Sequence, residues 1–481
     1  MNGAGSDVAR HAAARPAALG GVAPGQPRAV LTLPLAVALI VGIVVGAGIF
    51  KAPGLVATMS GSAGWMFAAW ALGGLVTLIG ALCYAELATS YPHAGGEYHF
   101  LRRAFGTRVA FLYAWARFSV VTTGSIALLA FVFGDYMTQL LPLGEHSASL
   151  YAAASVLVLT VVNLRGLRSG ARTQAWLTAA EVAGLLFVVL AGLVITLRAA
   201  GLDGAPAPAA PTAPPSVAGF GMAMVFVLLT YGGWNEAAYL SAELQDATRN
   251  MVRALVGSVL AITALYLLVV WAYWQGLGLA GMASSQALAA DLARQAFGTP
   301  GSSLVSALVA IAALTSINAT MIVGARTNYA VGRDWPLLAR LGHWDAERGG
   351  PTAGLAAQSA MALALVAVGA AAGGGFKAMV EFTAPVFWLF FLLAGASLIV
   401  LRRREPNHER PFEVPLYPLL PLLFCAVCAY MLWSSLSYVY SQRLGGLNAA
   451  WIGVAVLAVG AALLPLLKRP SSAATARSAR P

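Results

Sequence analysis

The stretch GIVVGAGIF, residues 42–50, places two close glycines inside an apolar run that extends from about residue 31 to 58. The run is long enough to cross a bilayer, because about 20 apolar residues in a helix span roughly 30 Å of hydrocarbon. Glycine is a poor helix former, so Gly-Ala-Gly weakens a helix in the region where it should be continuous. The stretch therefore predicts a transmembrane helix that is interrupted within the membrane.

The composition extends this prediction to the whole chain. Of the 481 residues, 59% are hydrophobic and 10% are charged, and the mean hydropathy is +0.77. A soluble domain of this length cannot bury so much apolar surface, so the surrounding solvent must be largely lipid. The apolar runs do not alternate as barrel strands would, which predicts an all-α membrane protein of about twelve transmembrane helices. The predicted spans are 31–58, 64–91, 109–141, 148–164, 173–197, 217–242, 252–275, 302–330, 353–372, 378–401, 416–437 and 449–467.

The arrangement of charge predicts the orientation. Most of the 29 Lys and Arg residues fall in the loops on one side, and such loops are normally cytoplasmic. We therefore expect a multi-pass protein of the cell (inner) membrane with both termini in the cytoplasm. The net charge of +11 then reflects orientation and contact with anionic lipid of the bilayer, and no basic folded domain is present for nucleic acid. The tails 1–28 and 469–481 are rich in Ala, Gly, Pro, Ser and Arg and are predicted to be disordered.

The residue patterns that nucleotide binding and metal binding require are missing from the sequence. No lysine follows a phosphate-cradling glycine pattern, and all six histidines fall in tails or loops. Cys425 and Cys428 have no second pair with metal-ligand spacing. We expect no catalytic residues, no metal and no cofactor, and therefore no enzyme. A channel or a membrane-embedded enzyme is the remote alternative.

A counterpart to the first glycine break occurs in the second half of the chain. The sixth predicted span contains TYGGWNE, residues 230–236, and Gly232 lies as far from Val217 as Gly46 lies from Leu31. The two spans enter the membrane from opposite faces. Broken helices at matching positions of two inverted halves indicate a transporter site. Close helix packing through small residues is the competing explanation for either segment alone.

The backbone at such breaks suggests the substrate. Unwinding at Gly46 and Gly48 would expose the first amides of the following half-helix, which suit a carboxylate. The preceding half-helix, and the one that ends near Tyr231, would expose carbonyl groups that suit an ammonium. A zwitterionic α-amino acid satisfies both sets without an ionised side chain, which is expensive at this depth.

Four segments carry a resemblance to a known family. They are GIVVGAGIFKAPG, CYAELATSYPHAGGEYHFLRRAFG, LLTYGGWNEAAYLSAELQDATRNMVRAL and TSINATMIVGARTNYAVGRD. In order and spacing, from about residue 30 to 415, the chain resembles the amino acid, polyamine and organocation transporter superfamily, and most closely its bacterial L-type amino acid transporter-like permeases. The resemblance implies a five-plus-five inverted repeat with broken helices 1 and 6, in a core of residues 29–405. Two appended spans would occupy residues 406–468.

The resemblance also implies the substrate site. Leu229 stands where the family usually has an aromatic residue that covers the substrate, so the pocket is either roomier or simply packed there by leucine. The residues expected to hold the substrate backbone, with Trp234 lining the same cavity, are Ile43, Gly46, Ala47, Gly48, Leu229, Tyr231 and Gly232.

Glu181 is the second departure from the family pattern. Proton-coupled and sodium-independent relatives commonly place a lysine in span five, where its ammonium replaces a sodium ion, whereas this chain reads TAAE at residues 178–181. Glu181 lies nine residues after Arg172, or about 13 Å into the membrane. An ionised carboxylate there costs about 3 kcal/mol or more, so it is expected to bind a proton or to hold Na⁺. By resemblance its partners would be the Gly42 and Val45 carbonyls and the Thr315 and Ser316 hydroxyls; a purely structural glutamic acid is the alternative.

The predicted function is a secondary transporter of amino acids that works by alternating access, as a proton-coupled symporter, with an obligatory exchanger as the alternative. Because most of the predicted contacts to the substrate come from backbone groups, the sequence does not identify one amino acid as the substrate. Nothing in the sequence points to an oligomeric state. Glu86 and Arg326 are either a cytoplasmic gate pair or independent snorkelling side chains. Glu236 either selects cationic substrates or caps the second half-helix of span six.

Overall fold

The computed structural model describes residues 32–93, 95–165, 171–200, 215–240, 244–345, 351–371, 373, 375–441, 443–444 and 447–465. The predicted disordered tails, residues 1–28 and 469–481, lie outside these ranges.

The described chain is almost entirely helical. Its only sheet in these ranges is an antiparallel pair of two-residue strands, β1 (Arg443–Leu444) and β2 (Leu447–Asn448). The helices are α1 (Leu33–Val44), α2 (Ala52–Ser60), α3 (Ala63–Ser90), α4 (Gly96–Phe105), α5 (Thr107–Ala116), α6 (Thr122–Leu140), α7 (Ser147–Leu164), α8 (Ala171–Ala200), α9 (Val217–Thr230), α10 (Ala247–Ser284), α11 (Leu288–Asp334), α12 (Thr352–Ala371), α13 (Gly375–Arg404), α14 (Leu419–Ser441) and α15 (Ala449–Leu463).

The predicted multi-pass, all-α membrane architecture is confirmed. Within the described ranges, nine helices are long and apolar enough to cross a membrane, or ten when the bent pair at residues 36–60 is taken as one span. A helix occupies every predicted span. The sixth and twelfth spans contain α9 and α15, which have 14 and 15 residues.

Both glycine breaks occur where the sequence predicts them. In the first span, α1 ends at Val44, Gly46 is extended, and a 3₁₀ turn at Ala47–Phe50 leads into α2, with a bend of 59° in the span. In the sixth span, α9 ends at Thr230 and Gly233 takes a φ of +107° before a 3₁₀ helix at Trp234–Leu240. A φ of this sign is readily adopted only by glycine, which explains why the residue is needed here.

The two broken spans pack against each other in opposite directions. Helix α1 contacts the 3₁₀ segment of the sixth span, and α2 contacts α9. The half-helices on either side of one break therefore meet those of the other, as an inverted repeat requires. Helices α3, α8 and α10 pack around this pair, and α6, α7 and α11 form a second group that touches it through α6 and α11.

Three further irregularities were not predicted. Gly278 and Gly298 have positive φ values inside α10 and α11, so the residues between them form bent segments that connect spans seven and eight. The third predicted span contains a π-helical turn at Arg117–Val121, between α5 and α6. Such turns often occur at functional sites, and this one carries a buried arginine.

Candidate functional site

The breaks of spans one and six are in direct contact. A Cβ atom added to Gly233 would lie 2.9 Å from Ile43 Cγ2 and 3.0 Å from the Ile43 carbonyl oxygen. A Cβ added to Gly48 would lie 3.6 Å from Thr230. The structure thus brings together the backbone segments that were predicted from the sequence to hold the substrate, and it does so with little space between them.

The ends of the half-helices present the expected backbone groups. The 3₁₀ turn that begins at Ala47 points its first amides toward the break, because the first amides of a helix have no partner within it. Helix α1 ends with Gly46 N–H donating to the Val44 carbonyl at 2.7 Å. Helix α9 ends with Gly232 N–H donating to the Leu229 carbonyl at 3.0 Å. Amides and carbonyls therefore lie side by side, which suits the two charges of an amino acid backbone.

Tyr266 connects the two breaks and was missed in the sequence. Its side chain is fully buried on α10, and its hydroxyl lies 2.9 Å from the Val44 carbonyl oxygen and 3.2 Å from that of Thr230. The single hydroxyl proton can be donated to either carbonyl, so one side chain ties the ends of both half-helices together. Only the packing of α10 against the broken spans reveals this role.

Two predicted site residues turn their side chains into packed aromatic clusters. The Tyr231 hydroxyl donates to the Trp70 carbonyl at 3.2 Å, and its ring packs against Trp70 and Tyr266. Trp234 is 3% exposed, and its ring contacts belong to α3, α13 and α14, namely Tyr84, Phe391 and Phe424. The backbone of Tyr231 remains at the break, and a role for Trp234 in lining the cavity stays a prediction. Leu229 is half-buried.

Glu181 is a buried carboxyl group without a hydrogen-bond partner among the described residues. The residue is 2% exposed on α8, and neither of its carboxyl oxygens has a partner in the described part of the chain. Helix α8 packs against α1 and α11, the helices that carry the rest of the predicted ion shell. An ionised carboxylate is only a hydrogen-bond acceptor, so burial in this form without donors is unfavourable.

The predicted partners of Glu181 differ in whether their hydroxyl groups are already hydrogen-bonded. The buried hydroxyl of Ser316 has no partner among the residues that the structure describes, and a Cβ added to Gly46 would lie 3.6 Å from its oxygen. The Thr315 hydroxyl instead donates to the Ile311 carbonyl of its own helix at 2.9 Å. Gly42 and Val45 are buried on the α1 side. Within the described ranges, no three His, Cys, Asp or Glu side chains are grouped so that they could hold a metal ion.

A charged network lies directly beyond the break of the sixth span. Arg117 donates twice to Glu236, at 2.8 and 3.0 Å, and lies 3.6 Å from Glu97. Glu97 also accepts hydrogen bonds from three uncharged side chains, those of Tyr84, Tyr113 and Asn235. Glu236 is thus an ion-pair partner, a role that neither sequence hypothesis included. The network joins the connector helix α4, the π turn of span three and the second half of span six.

A second charged contact flanks the breaks on the other side. Lys51, which follows the 3₁₀ turn of span one, lies 2.7 Å from Asp135 on α6. Its ammonium also donates to the Gln286 carbonyl at 2.7 Å, in the connection between α10 and α11. Charged contacts therefore flank the break region on both sides.

The hypothesis that Glu86 and Arg326 form a gate pair is wrong. Glu86 is 1% exposed and accepts two hydrogen bonds from Arg402, both at 2.6 Å, and one from the Val414 amide at 2.7 Å. Arg326 is exposed on α11. Both arginines lie at the same end of the bundle, but only Arg402 of α13 faces α3.

Comparison with known proteins identifies the family. The Amino acid permease family matches residues 31–461. The chain belongs to this family. It is 29% identical to the human (Homo sapiens) b(0,+)-type amino acid transporter 1 over 405 residues, which cover 82% of this chain and 80% of that protein. It is 26% identical to the serine/threonine exchanger SteT of Bacillus subtilis (strain 168) over 410 residues, covering 83% and 90%.

A third relative, the human large neutral amino acids transporter small subunit 2, is 28% identical over 403 residues, covering 82% of this chain and 74% of the relative. The permease is therefore an amino acid transporter and not an enzyme, as its sequence predicts. The two broken spans and the backbone groups at their junction are the features of the permease that fit this activity.

Proposed function

We propose that the permease is a proton-coupled amino acid symporter in which Glu181 carries the proton. The observation that supports this most directly is the burial of both Glu181 carboxyl oxygens without a hydrogen-bond partner among the described residues. Intramembrane acidic groups commonly serve as proton relays in transporters. In this proposal the termini and the arginine-rich loops face the cytoplasm and the membrane is the inner one, in line with the charge bias of the loops.

The substrate backbone would bind at the junction of the two breaks. Its carboxylate would accept hydrogen bonds from the first amides of the 3₁₀ turn, at Ala47 and Gly48 after the extended Gly46. Its ammonium would donate to carbonyls at the ends of α1 and α9, near Ile43 and Leu229. Tyr266 supports this arrangement because its hydroxyl holds the two carbonyl ends together. Backbone groups recognise the part that all α-amino acids share.

Coupling would follow from the different environments that Glu181 meets during transport. In the present conformation the carboxyl group is buried, and burial is favourable only when the group is neutral. When one side opens, water reaches the group and the proton can leave. A substrate that binds best to the protonated permease would then move together with its proton, since binding shifts the protein toward the state it prefers.

Obligatory exchange is the second candidate, and the similarity to SteT, which is named a serine/threonine exchanger, favours it. An exchanger needs no coupling ion. Glu181 would then be a protonated structural group, and the permease without substrate would not switch its binding site from one side of the membrane to the other. The two candidates differ in what drives accumulation and therefore can be separated in one experiment.

The experiment uses purified permease in liposomes and a panel of labelled amino acids. Three conditions are compared: an inward proton gradient, an inward Na⁺ gradient, and unlabelled amino acid inside with no ion gradient. Symport predicts accumulation with the proton gradient and an empty lumen; accumulation with Na⁺ would name the other ion. Uptake only into preloaded liposomes would establish exchange instead.

Glu181→Gln then tests the residue itself. We expect proton-driven accumulation to be lost while counterflow between labelled and unlabelled substrate remains. Glu381→Gln is the matched control, because Glu381 is also a buried carboxyl, 4% exposed, but lies on α13 beside Lys377. If Glu181→Gln leaves the dependence of uptake on both pH and Na⁺ unchanged, Glu181 has no coupling role.

A further inference from the structure

A cavity lies at the arginine-rich end of α13, away from the two breaks. Its volume is about 520 Å³, and it is lined by both charged and apolar side chains. The lining includes Arg402, Arg403, Arg410, Tyr417, Ile399 and Leu422. It lies where α13, the last helix of the inverted repeat, is connected to α14, the first appended helix.

The three arginines are engaged to different degrees. Arg402 is bound to Glu86 and stacks on the Tyr417 ring, with its guanidinium carbon 4.0 Å from the ring centre. Arg410 lies 3.8 Å from Glu86 and otherwise donates to backbone carbonyls of its own loop. Arg403 is exposed, and no partner is found for it among the described residues.

The guanidinium of Arg403 is the one in the cavity that is not neutralised by a neighbouring group of the described chain. Three guanidinium groups line the cavity, and the buried carboxylate of Glu86 lies 2.6 Å from the guanidinium of Arg402 and 3.8 Å from that of Arg410. Arg403 is therefore the group free to pair with an added anion. A single phosphodiester would neutralise it, and arginine binds phosphate oxygens with two parallel hydrogen bonds.

An apolar surface adjoins this cation. Leu416, which precedes α14, is 69% exposed, and Leu419 and Leu423 in the first turns of α14 are 60% and 43% exposed. In a membrane protein such leucines face acyl chains. The cavity therefore combines a cationic pocket with an adjoining apolar surface.

We propose that this cavity binds an anionic phospholipid, with its phosphate on Arg403 and its acyl chains along the exposed leucines at residues 416–423. Basic pockets between transmembrane helices on the cytoplasmic side are suited to anionic head groups. The bound lipid would join the end of α13 to the start of α14. It would thereby stabilise the attachment of the two appended spans to the transport core.

The test is a thermal unfolding titration of the purified permease in a non-ionic detergent. The added probes are dioleoylphosphatidylglycerol, dioleoylphosphatidylcholine and inorganic phosphate. We expect phosphatidylglycerol to raise the Tm in a saturable manner and phosphatidylcholine to have no such effect. Arg403→Gln should raise the half-saturating concentration of phosphatidylglycerol about fivefold, the effect of removing one arginine near a lipid surface.

Arg326→Gln is the matched control, because Arg326 is an exposed arginine at the same end of the bundle but outside the cavity. It should leave the titration unchanged. Equal effects of the two lipids on the wild-type permease would overturn the proposal, as would equal effects of the two substitutions. Protection by inorganic phosphate at the same concentration would also overturn it, since the ligand would then be a free phosphate. The lipid comparison on the wild-type protein does not depend on the folding of any variant.

Discussion

Replacing Arg117 by glutamine should destabilise the permease through the two carboxylates that it leaves behind. Arg117 and Glu97 have side chains that are 7% and 4% exposed, so water screens their interaction poorly. Glu236, at 21%, is more accessible. The shortened side chain of glutamine cannot make the two hydrogen bonds, at 2.8 and 3.0 Å, that Arg117 donates to Glu236.

The magnitude follows from this geometry. Removing one partner of a buried ion pair costs about 3–5 kcal/mol, because an uncompensated charge remains. Glu97 keeps donors from uncharged side chains and Glu236 reaches some water, so the lower end of that range applies. We expect Arg117→Gln to reduce the free energy of unfolding by about 3 kcal/mol.

The assay is denaturant unfolding in mixed micelles of the wild-type permease, Arg117→Gln, Glu236→Gln and the double variant. Because the two side chains interact directly, the double variant should lose less than the sum of the single losses, by about 1–2 kcal/mol. A loss below about 1 kcal/mol for Arg117→Gln, or strictly additive losses, would refute the reasoning.

Three further outcomes are expected. Gly233→Ala should abolish uptake and lower the free energy of unfolding by about 1–3 kcal/mol, since its φ is +107° and the new Cβ would lie 2.9 Å from a side chain of α1. Gly257→Ala on α10 is the control: its added Cβ would meet no neighbouring atom within 4 Å, so this substitution should be neutral or stabilising. Tyr266→Phe should slow uptake by the folded permease, whereas Tyr273→Phe, which removes a buried hydroxyl that has no partner in the described chain, should not; equal rates would exclude a role for the Tyr266 hydroxyl. Hydrogen bonds from Arg103 lower the pKa of Glu405, so this ion pair should contribute stability above pH 4.5 that is lost as the pH falls further. Because the pair is partly exposed, its contribution is small. We expect Glu405→Gln to lower the free energy of unfolding, relative to the wild-type permease, by only about 0.5 kcal/mol more at pH 7 than at pH 4.

The comparison of sequence and structure separates local from long-range information. The glycine breaks at residues 46 and 232 were predicted correctly because they depend on the conformational preference of a few neighbouring residues inside an apolar run. The all-α class and the multi-pass arrangement were predictable for a similar reason, since each span partitions into lipid by its own composition.

The polar contacts required the tertiary structure. Glu86 pairs with Arg402, and the sequence suggested Arg326, because hydropathy places a charge at a depth but does not say which neighbouring helix it faces. The network of Glu97, Arg117 and Glu236 joins two nearby elements to one that is 119 residues further along the chain.

By itself, the sequence determined that this protein spans a membrane through helices, that two of these helices are broken, and that their backbone groups suit an amino acid. The tertiary structure decided that the two breaks meet, that Tyr266 ties their carbonyl ends together, and that Arg117 stands between two carboxylates. The physical reason is that local conformation and transfer into lipid are properties of short segments. Hydrogen bonds and ion pairs between helices depend instead on how the helices are rotated and packed against one another.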